Sequence, residues 1–239
     1  MKTFAKYFFP ALCCCVFSTA SGQDTVGQFA LKPTAFYGFI APHSTGMKNL
    51  IRAHVPAFEL ALELPATGRK DWEILYRYPS WGLSWYYADL RNPEETGIAT
   101  GLYPFVNFPL IRRSRFLFQY RLGWGMAYLS KRFERVENHK NIVIGSHINA
   151  IIGMRLETAW QLSGRLYAHT NLALTHFSNG AYKMPNLGFN ILAAGAGFSC
   201  RFGDVQPTVK DEELPIYIPY MGINLVLAGG VKEIYPSGG

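Results

Sequence analysis

The 239-residue chain is poor in cysteine, and three of its four cysteines, Cys13, Cys14 and Cys15, lie together near the start. If that segment is removed, Cys200 stands alone and no intramolecular disulfide can form. Charge is scarce as well. Only 16% of residues are Asp, Glu, Lys or Arg, against about 25% in an ordinary soluble domain. The basic residues behind the formal net charge of +7 are scattered, which is not the clustered basic face of a nucleic-acid binder. Beyond the N-terminus no segment approaches the roughly 20 apolar residues of a membrane-spanning helix. There is no G-x-S-x-G elbow, phosphate-binding loop, H-E-x-x-H motif or paired cysteine. His43, His54, His139, His147 and His169 are dispersed, which argues against a metal site. No Asp cluster suggests calcium, so no cofactor is expected.

What is present starts with a three-part N-terminal pattern. Lys2 and Lys6 supply positive charge, Tyr7 to Phe17 an apolar run, and Ala20-Ser21-Gly22 a small-residue cleavage site. The apolar run is too short to span a bilayer, so residues 1–22 read as a cleaved secretory signal. A secreted chain of this size without disulfides must draw its stability from its own hydrogen bonds or from a membrane.

Long stretches then alternate with period two. Phe58, Leu60, Leu62 and Leu64 alternate with Glu59, Ala61 and Glu63; from Phe116 to Tyr128 the even positions are bulky, and the odd ones include Gln119, Arg121, Gly123 and Gly125. Ile148 to Trp160 repeats the pattern, with Asn149, Arg155 and Glu157 on the other face. Period two is the signature of β-strands, and these exceed the 5–6 residues usual in globular sheets. Large aromatics from every strand would overfill a small barrel if they pointed inward. A lipid-facing exterior around a polar, salt-bridged lumen accounts for them better than a soluble sandwich or lipocalin-like carrier does. Trp81, Trp85, Tyr86, Tyr87, Trp124, Tyr128 and Trp160 are expected in an aromatic girdle.

The predicted fold is therefore all-β, an antiparallel transmembrane β-barrel over 23–203. Its strands are expected at 34–42, 55–65, 71–88, 96–109, 114–130, 143–160, 164–178 and 188–202, with Pro79 and Pro104 at bulges or unpaired positions. Residues 204–239 form a C-terminal extension that includes a further strand-like stretch at 214–235. The expected location is the outer membrane of a Gram-negative cell.

One segment breaks the apolar pattern: THFSNGAYKMPN, Thr175 to Asn186. Even-numbered residues of the seventh strand face lipid, and continuing that series brings His176 and Ser178 onto the same face, their Cα atoms roughly 7 Å apart. Parity on the eighth strand adds Asn190 at the same end. Such a cluster can mark no more than the boundary between lipid tails and headgroups. It also contains a nucleophile, a base and an orienting group in Ser178, His176 and Asn190, with amides around Asn179 and Gly180 to hold an oxyanion. A catalytic site on the outside of a barrel makes sense for a lipid of the outer leaflet.

The stretch HFSNGAYKMPNLGFN resembles the signature of the outer-membrane lipid A 3-O-deacylase family, over about residues 165–203. The resemblance implies an eight-stranded barrel acting as a serine esterase on lipid A or lipopolysaccharide, at the ester-linked acyl chain of position 3. It assigns His176, Ser178, Asn179 and Asn186 to that family's His, Ser and two Asn positions. Where the family usually has Glu, this chain has Asn190. An amide can accept from an imidazole N–H but adds no negative charge. Asp211, Glu212 and Glu213 could assist only if the extension folds back, whereas Glu157 has lumen parity. A non-catalytic barrel with a structural or lipid-binding role is the alternative.

Overall fold

The computed structural model describes residues 28–68, 70–203, 222–223 and 225–230. Eight strands form a closed barrel: β1 Phe29–Ile40, β2 Val55–Pro65, β3 Ser80–Asn92, β4 Gly97–Arg112, β5 Phe116–Leu129, β6 Ile148–Gln161, β7 Leu166–Ser178 and β8 Phe189–Phe202. Every neighbouring pair is antiparallel, and β8 pairs with β1 to close the ring. Closure leaves no unpaired strand edge, the one sheet arrangement that satisfies all backbone polar groups in lipid. Of the C-terminal extension, only 222–223 and 225–230 are described, and they contain no strand. The signal segment and Asp211, Glu212 and Glu213 lie outside the described residues.

Strand boundaries depart from expectation for identifiable reasons. β1 begins at Phe29 and runs through Pro33, because the ladder to β8 steps from Leu31↔Cys200 to Thr34↔Gly197 and asks no N–H of Pro33. Pro104 uses the same device, lying between Leu102↔Met126 and Phe105↔Gly123 in the β4–β5 ladder. The region expected as the first part of the third strand is instead a one-turn helix, α1, Asp71–Leu75. Arg77 and Tyr78 follow with positive φ, and β3 starts only after Pro79. Residues 143–147 belong to the β5–β6 loop, where Val143 and Ile144 are buried.

Alternation in the ladders sorts the side chains as the sequence predicts. Leu122, Trp124, Met126, Ile152, Met154, Leu156 and Leu172 are exposed on the outside. Inward-facing Glu59, Gln119, Arg121, Arg155, Glu157 and Asn171 are buried. Tyr86 is a correction: it points inward and is 2% exposed, so it is no part of a girdle. Trp124 pairs with Ile152 near the middle of β5, while Trp81 and Trp160 sit close to strand ends.

The lumen is also not uniformly polar. Its ion pairs centre on Glu59, bound by Arg121 (2.9 Å) and by Arg155, and on Lys32, which holds Glu63 at 2.9 Å and Glu157 at 2.6 Å. The end that carries loops 41–54, 93–96, 130–147 and 179–188 is apolar inside. Ile40, Met47, Leu50, Val55, Leu90, Leu129, Val143, Ile144, Phe177 and Phe189 form a plug there. The barrel is thus solid, and the last residues of β7 are backed by packed side chains.

Candidate active site

His176 and Asn190 face each other across the β7–β8 ladder. Both project outward, because their neighbours Thr175, Phe177, Phe189 and Ile191 take the inward positions and are buried. The His176 Nδ1–H donates to Asn190 Oδ1 at 2.7 Å. An amide oxygen only accepts, so this contact puts the imidazole proton on Nδ1 and leaves a lone pair on Nε2. Ser178 is two residues further along the same face of β7. Among the described residues, no hydrogen bond to its hydroxyl is found.

Gly188 shows how close the histidine and the serine lie. It has φ +78°, and a β-carbon placed on it would sit 3.0 Å from His176 Cε1 and 3.5 Å from Ser178 Cβ. The edge of the imidazole and the serine side chain therefore border one small gap, kept open by the missing side chain of Gly188. A β-carbon there would also come within 2.7 Å of the Phe177 carbonyl oxygen.

The polar residues that interrupt the apolar pattern divide into two groups. His176, Ser178 and Asn190 face outward, whereas Asn179 and Asn186 shape the loop between β7 and β8. The backbone N–H of Asn179 donates to Asn186 Oδ1 at 2.9 Å, and its side-chain amide donates to Ser146 Oγ at 2.8 Å and Lys183 O at 2.7 Å. Its Oδ1 accepts from the Ala181 N–H at 2.9 Å. The Asn179 N–H is thus already engaged and is not available to an oxyanion. At Gly180 (φ +65°) no acceptor for the N–H is found among the described residues. The N–H groups of Leu187 and Gly188 both donate to Val143 O, which ties this loop to the β5–β6 loop.

Two residues of this region escape a reading along the chain. Gly188 is one; its only signal is its place two residues before Asn190. The other is His43, in the β1–β2 loop. Its Nε2 lies 2.9 Å from Leu187 O, and its Nδ1 lies 3.4 Å from Asn190 Nδ2. Closure of the barrel could have exposed it, since the end of β1 must lie beside the start of β8. Of the other candidates, Glu157 is indeed directed into the lumen, where Lys32 and Gln119 engage it. His169 is buried and contacts Thr34 Oγ1 at 2.9 Å.

A closed barrel with an apolar exterior, carrying a hydrogen-bonded His–Asn pair and a serine on that exterior, defines a membrane-embedded barrel whose polar site faces lipid. A family model described as Lipid A 3-O-deacylase (PagL) matches residues 57–199. The chain belongs to that family, and the match begins well before the stretch around 165–203 in which the resemblance was legible. Family and barrel together place the protein in the outer membrane. Similar solved structures include the outer membrane enzyme PagL, at 14% identity and TM-score 0.46, covering 71% of this chain and 98% of that one. Neisserial surface protein A matches at 8% identity and TM-score 0.47, covering 74% and 99%. Ail, the attachment invasion locus protein of Yersinia pestis, matches at 9% identity and TM-score 0.38, also covering 74% and 99%. No curated protein sequence matches the chain.

Proposed function

We propose that this protein, exported by means of a cleaved signal at 1–22, hydrolyses the ester-linked acyl chain at position 3 of lipid A. Ser178 is the nucleophile, His176 the general base and Asn190 the group that orients the imidazole. The observation that carries this reading is the 2.7 Å contact between His176 Nδ1 and Asn190 Oδ1. It holds the base in the tautomer that can accept a proton at Nε2, on the same lipid-facing strand face as Ser178.

In the first half-reaction Ser178 Oγ attacks the ester carbonyl carbon while His176 Nε2 takes the hydroxyl proton. Charge on the tetrahedral oxygen is met by the Gly180 N–H, an amide with no competing acceptor among the described residues. The C–O bond to the sugar then breaks, and the imidazolium gives its proton to the leaving sugar oxygen, which departs as a hydroxyl. Water, deprotonated by the same imidazole, attacks the acyl carbon; the C–O bond to Ser178 breaks, the imidazolium returns the proton to Ser178 Oγ, and the acyl chain leaves as a free acid. Placement on the outer face removes the need for a deep pocket, because the substrate is a component of the surrounding leaflet.

The test is to incubate the detergent-solubilised protein with lipid A and follow the mass of the lipid. Loss of one acyl chain with the parent protein, and none with Ser178→Ala, is the expected result. The alternative, a non-catalytic lipid-binding barrel, is favoured by the amide that stands in the carboxylate position. It would be chosen if a folded parent protein released no acyl chain over long incubation.

A further inference from the structure

We infer that His43 is a positioning residue that holds the Asn190 amide with its oxygen, rather than its nitrogen, toward His176; the inference rests on the esterase reading of this site. A carboxylate presents an acceptor to the imidazole whichever way it is turned. An amide does not. Rotated by half a turn, Asn190 would offer Nδ2–H to His176 Nδ1, which would then have to carry the lone pair. The proton would move to Nε2, and the imidazole could no longer take a proton from Ser178. A site with Asn in this position therefore needs a second contact that distinguishes the two ends of the amide.

His43 supplies that contact, and its own polarity is set from behind. The Leu187 carbonyl oxygen, 2.9 Å from His43 Nε2, can only accept, so Nε2 carries the hydrogen of the neutral ring. His43 Nδ1 is then an acceptor, and at 3.4 Å it faces Asn190 Nδ2. The result is a chain with one direction: His176 Nδ1–H to Asn190 Oδ1, Asn190 Nδ2–H to His43 Nδ1, His43 Nε2–H to Leu187 O. Each donor meets an acceptor only in this order. Turning the amide would set acceptor against acceptor at His43 and donor against donor at His176, a clash that His176 could escape only by taking the wrong tautomer.

The backbone places His43 for this task. The last pairing of β1 with β8 is Ile40↔Ile191, and the Ala41 N–H donates to the Asn190 carbonyl at 2.8 Å. The chain leaving β1 is thus fastened to Asn190 itself, two residues before His43. At the far end, Leu187 is held by its own N–H donating to Val143 O at 2.9 Å. Three different loops therefore converge on the orientation of one amide.

The experiment is a double-mutant cycle with His43→Ala and Asn190→Glu, assayed on lipid A in detergent. One neutral hydrogen bond biases the amide by roughly 3- to 10-fold, so His43→Ala should lower kcat by about twofold if the two orientations are otherwise equal, and by at most roughly 10-fold, with KM unchanged. In the Asn190→Glu background the loss should shrink, because a carboxylate has no wrong end. An equal loss in both backgrounds, or none in the parent, would overturn the inference. A second readout does not require turnover: in ¹⁵N-histidine-labelled protein, the His176 signals should report a proton on Nδ1. Part of that population should move to Nε2 in His43→Ala and return in the double variant. If the parent protein shows this pattern yet releases no acyl chain, the esterase reading falls while the role of His43 in orienting the amide stands. If lipid A is deacylated but the His176 tautomer ignores His43→Ala, the reverse holds.

Discussion

Two polar constellations share the strands of this barrel, and their chemistry is opposite. Inside, Lys32, Glu59, Glu63, Arg121, Arg155 and Glu157 are ionisable and paired. Outside, at the rim, Ser178, His176, Asn190 and His43 include no carboxylate and no Lys or Arg. The lumen can hold full charges because several strands point partners at each one. A side chain on the lipid face has neighbours on its own sheet and lipid on the other side, so a charge there is costly unless it is paired. Asn190 lowers that desolvation cost and gives up the charge that would steady an imidazolium. On this view stability resides in the inner cluster and chemistry in the outer one.

The inner cluster depends most on Glu59, which binds both Arg121 and Arg155. Glu59→Ala leaves the buried Arg155 without a carboxylate and Arg121 with only Glu63 at 3.8 Å, and should destabilise the barrel by about 3–5 kcal/mol. Asn190→Ala should change stability by less than about 1 kcal/mol while removing most of the activity. Urea unfolding in micelles, followed by tryptophan fluorescence, measures both. Equal destabilisation by the two variants would contradict the division between inner and outer clusters.

Hydrogen bonds to charged groups contribute about 1–2 kcal/mol more than neutral ones. Asn190→Glu should therefore raise kcat about 5- to 30-fold. The gain should stay well below the roughly 10⁴-fold associated with a wrong tautomer, because the amide already holds His176 with its proton on Nδ1. A gain of that larger size would mean that Asn190 does not orient the ring in the active protein.

How much of this was legible follows from where the information lies. Period-two alternation encoded the inside and outside of Arg121, Arg155, His176 and Asn190, because strand geometry is local. Pro79 and Pro104 weakened strand boundaries, since whether a proline is tolerated depends on the neighbouring ladder and not on its own strand. The apolar plug at the loop end was hidden because Val143 and Ile144 continue the pattern of β6 although they belong to a loop. His43 was hidden for a longer-range reason: it meets Asn190 only through closure of β1 on β8, at opposite ends of the barrel sequence.

Gly188 offers a smaller and more local test. Gly188→Ala puts a side chain at φ +78° and within 3.0 Å of His176 Cε1. Backbone strain of this kind costs about 1–3 kcal/mol, and part of it can be relieved by shifting the imidazole. Activity should fall by more than this strain lowers stability, while the inner cluster keeps its ion pairs. A variant that keeps full activity would show that the gap between His176 and Ser178 is not needed for the ester.

The smallest expected effect concerns Glu95, a carboxylate at the same loop end as the site. Asn92 donates to it at 2.6 Å, and Arg52 and Lys140 lie 3.6 Å away. Its backbone carbonyl accepts from Asn138 and Asn141, so it joins three of the four loops above the plug. The Asn92 hydrogen bond, helped by Arg52 and Lys140, holds the Glu95 carboxyl below the ordinary carboxylate range. A depressed folded value means that the unfolded chain binds the proton first. Stabilisation from Glu95 is therefore complete above the ordinary carboxylate range and is lost as pH falls through the lowered value. Hydrogen exchange in 93–96 and 130–147 should accelerate at acid pH, ahead of any change in the strands, and Glu95→Gln should remove that dependence. Because Val143 in the same loop holds both Leu187 and Gly188, loosening these loops also loosens the support behind His43 and His176. The outer cluster should then lose activity at a pH where the inner cluster still holds the barrel closed.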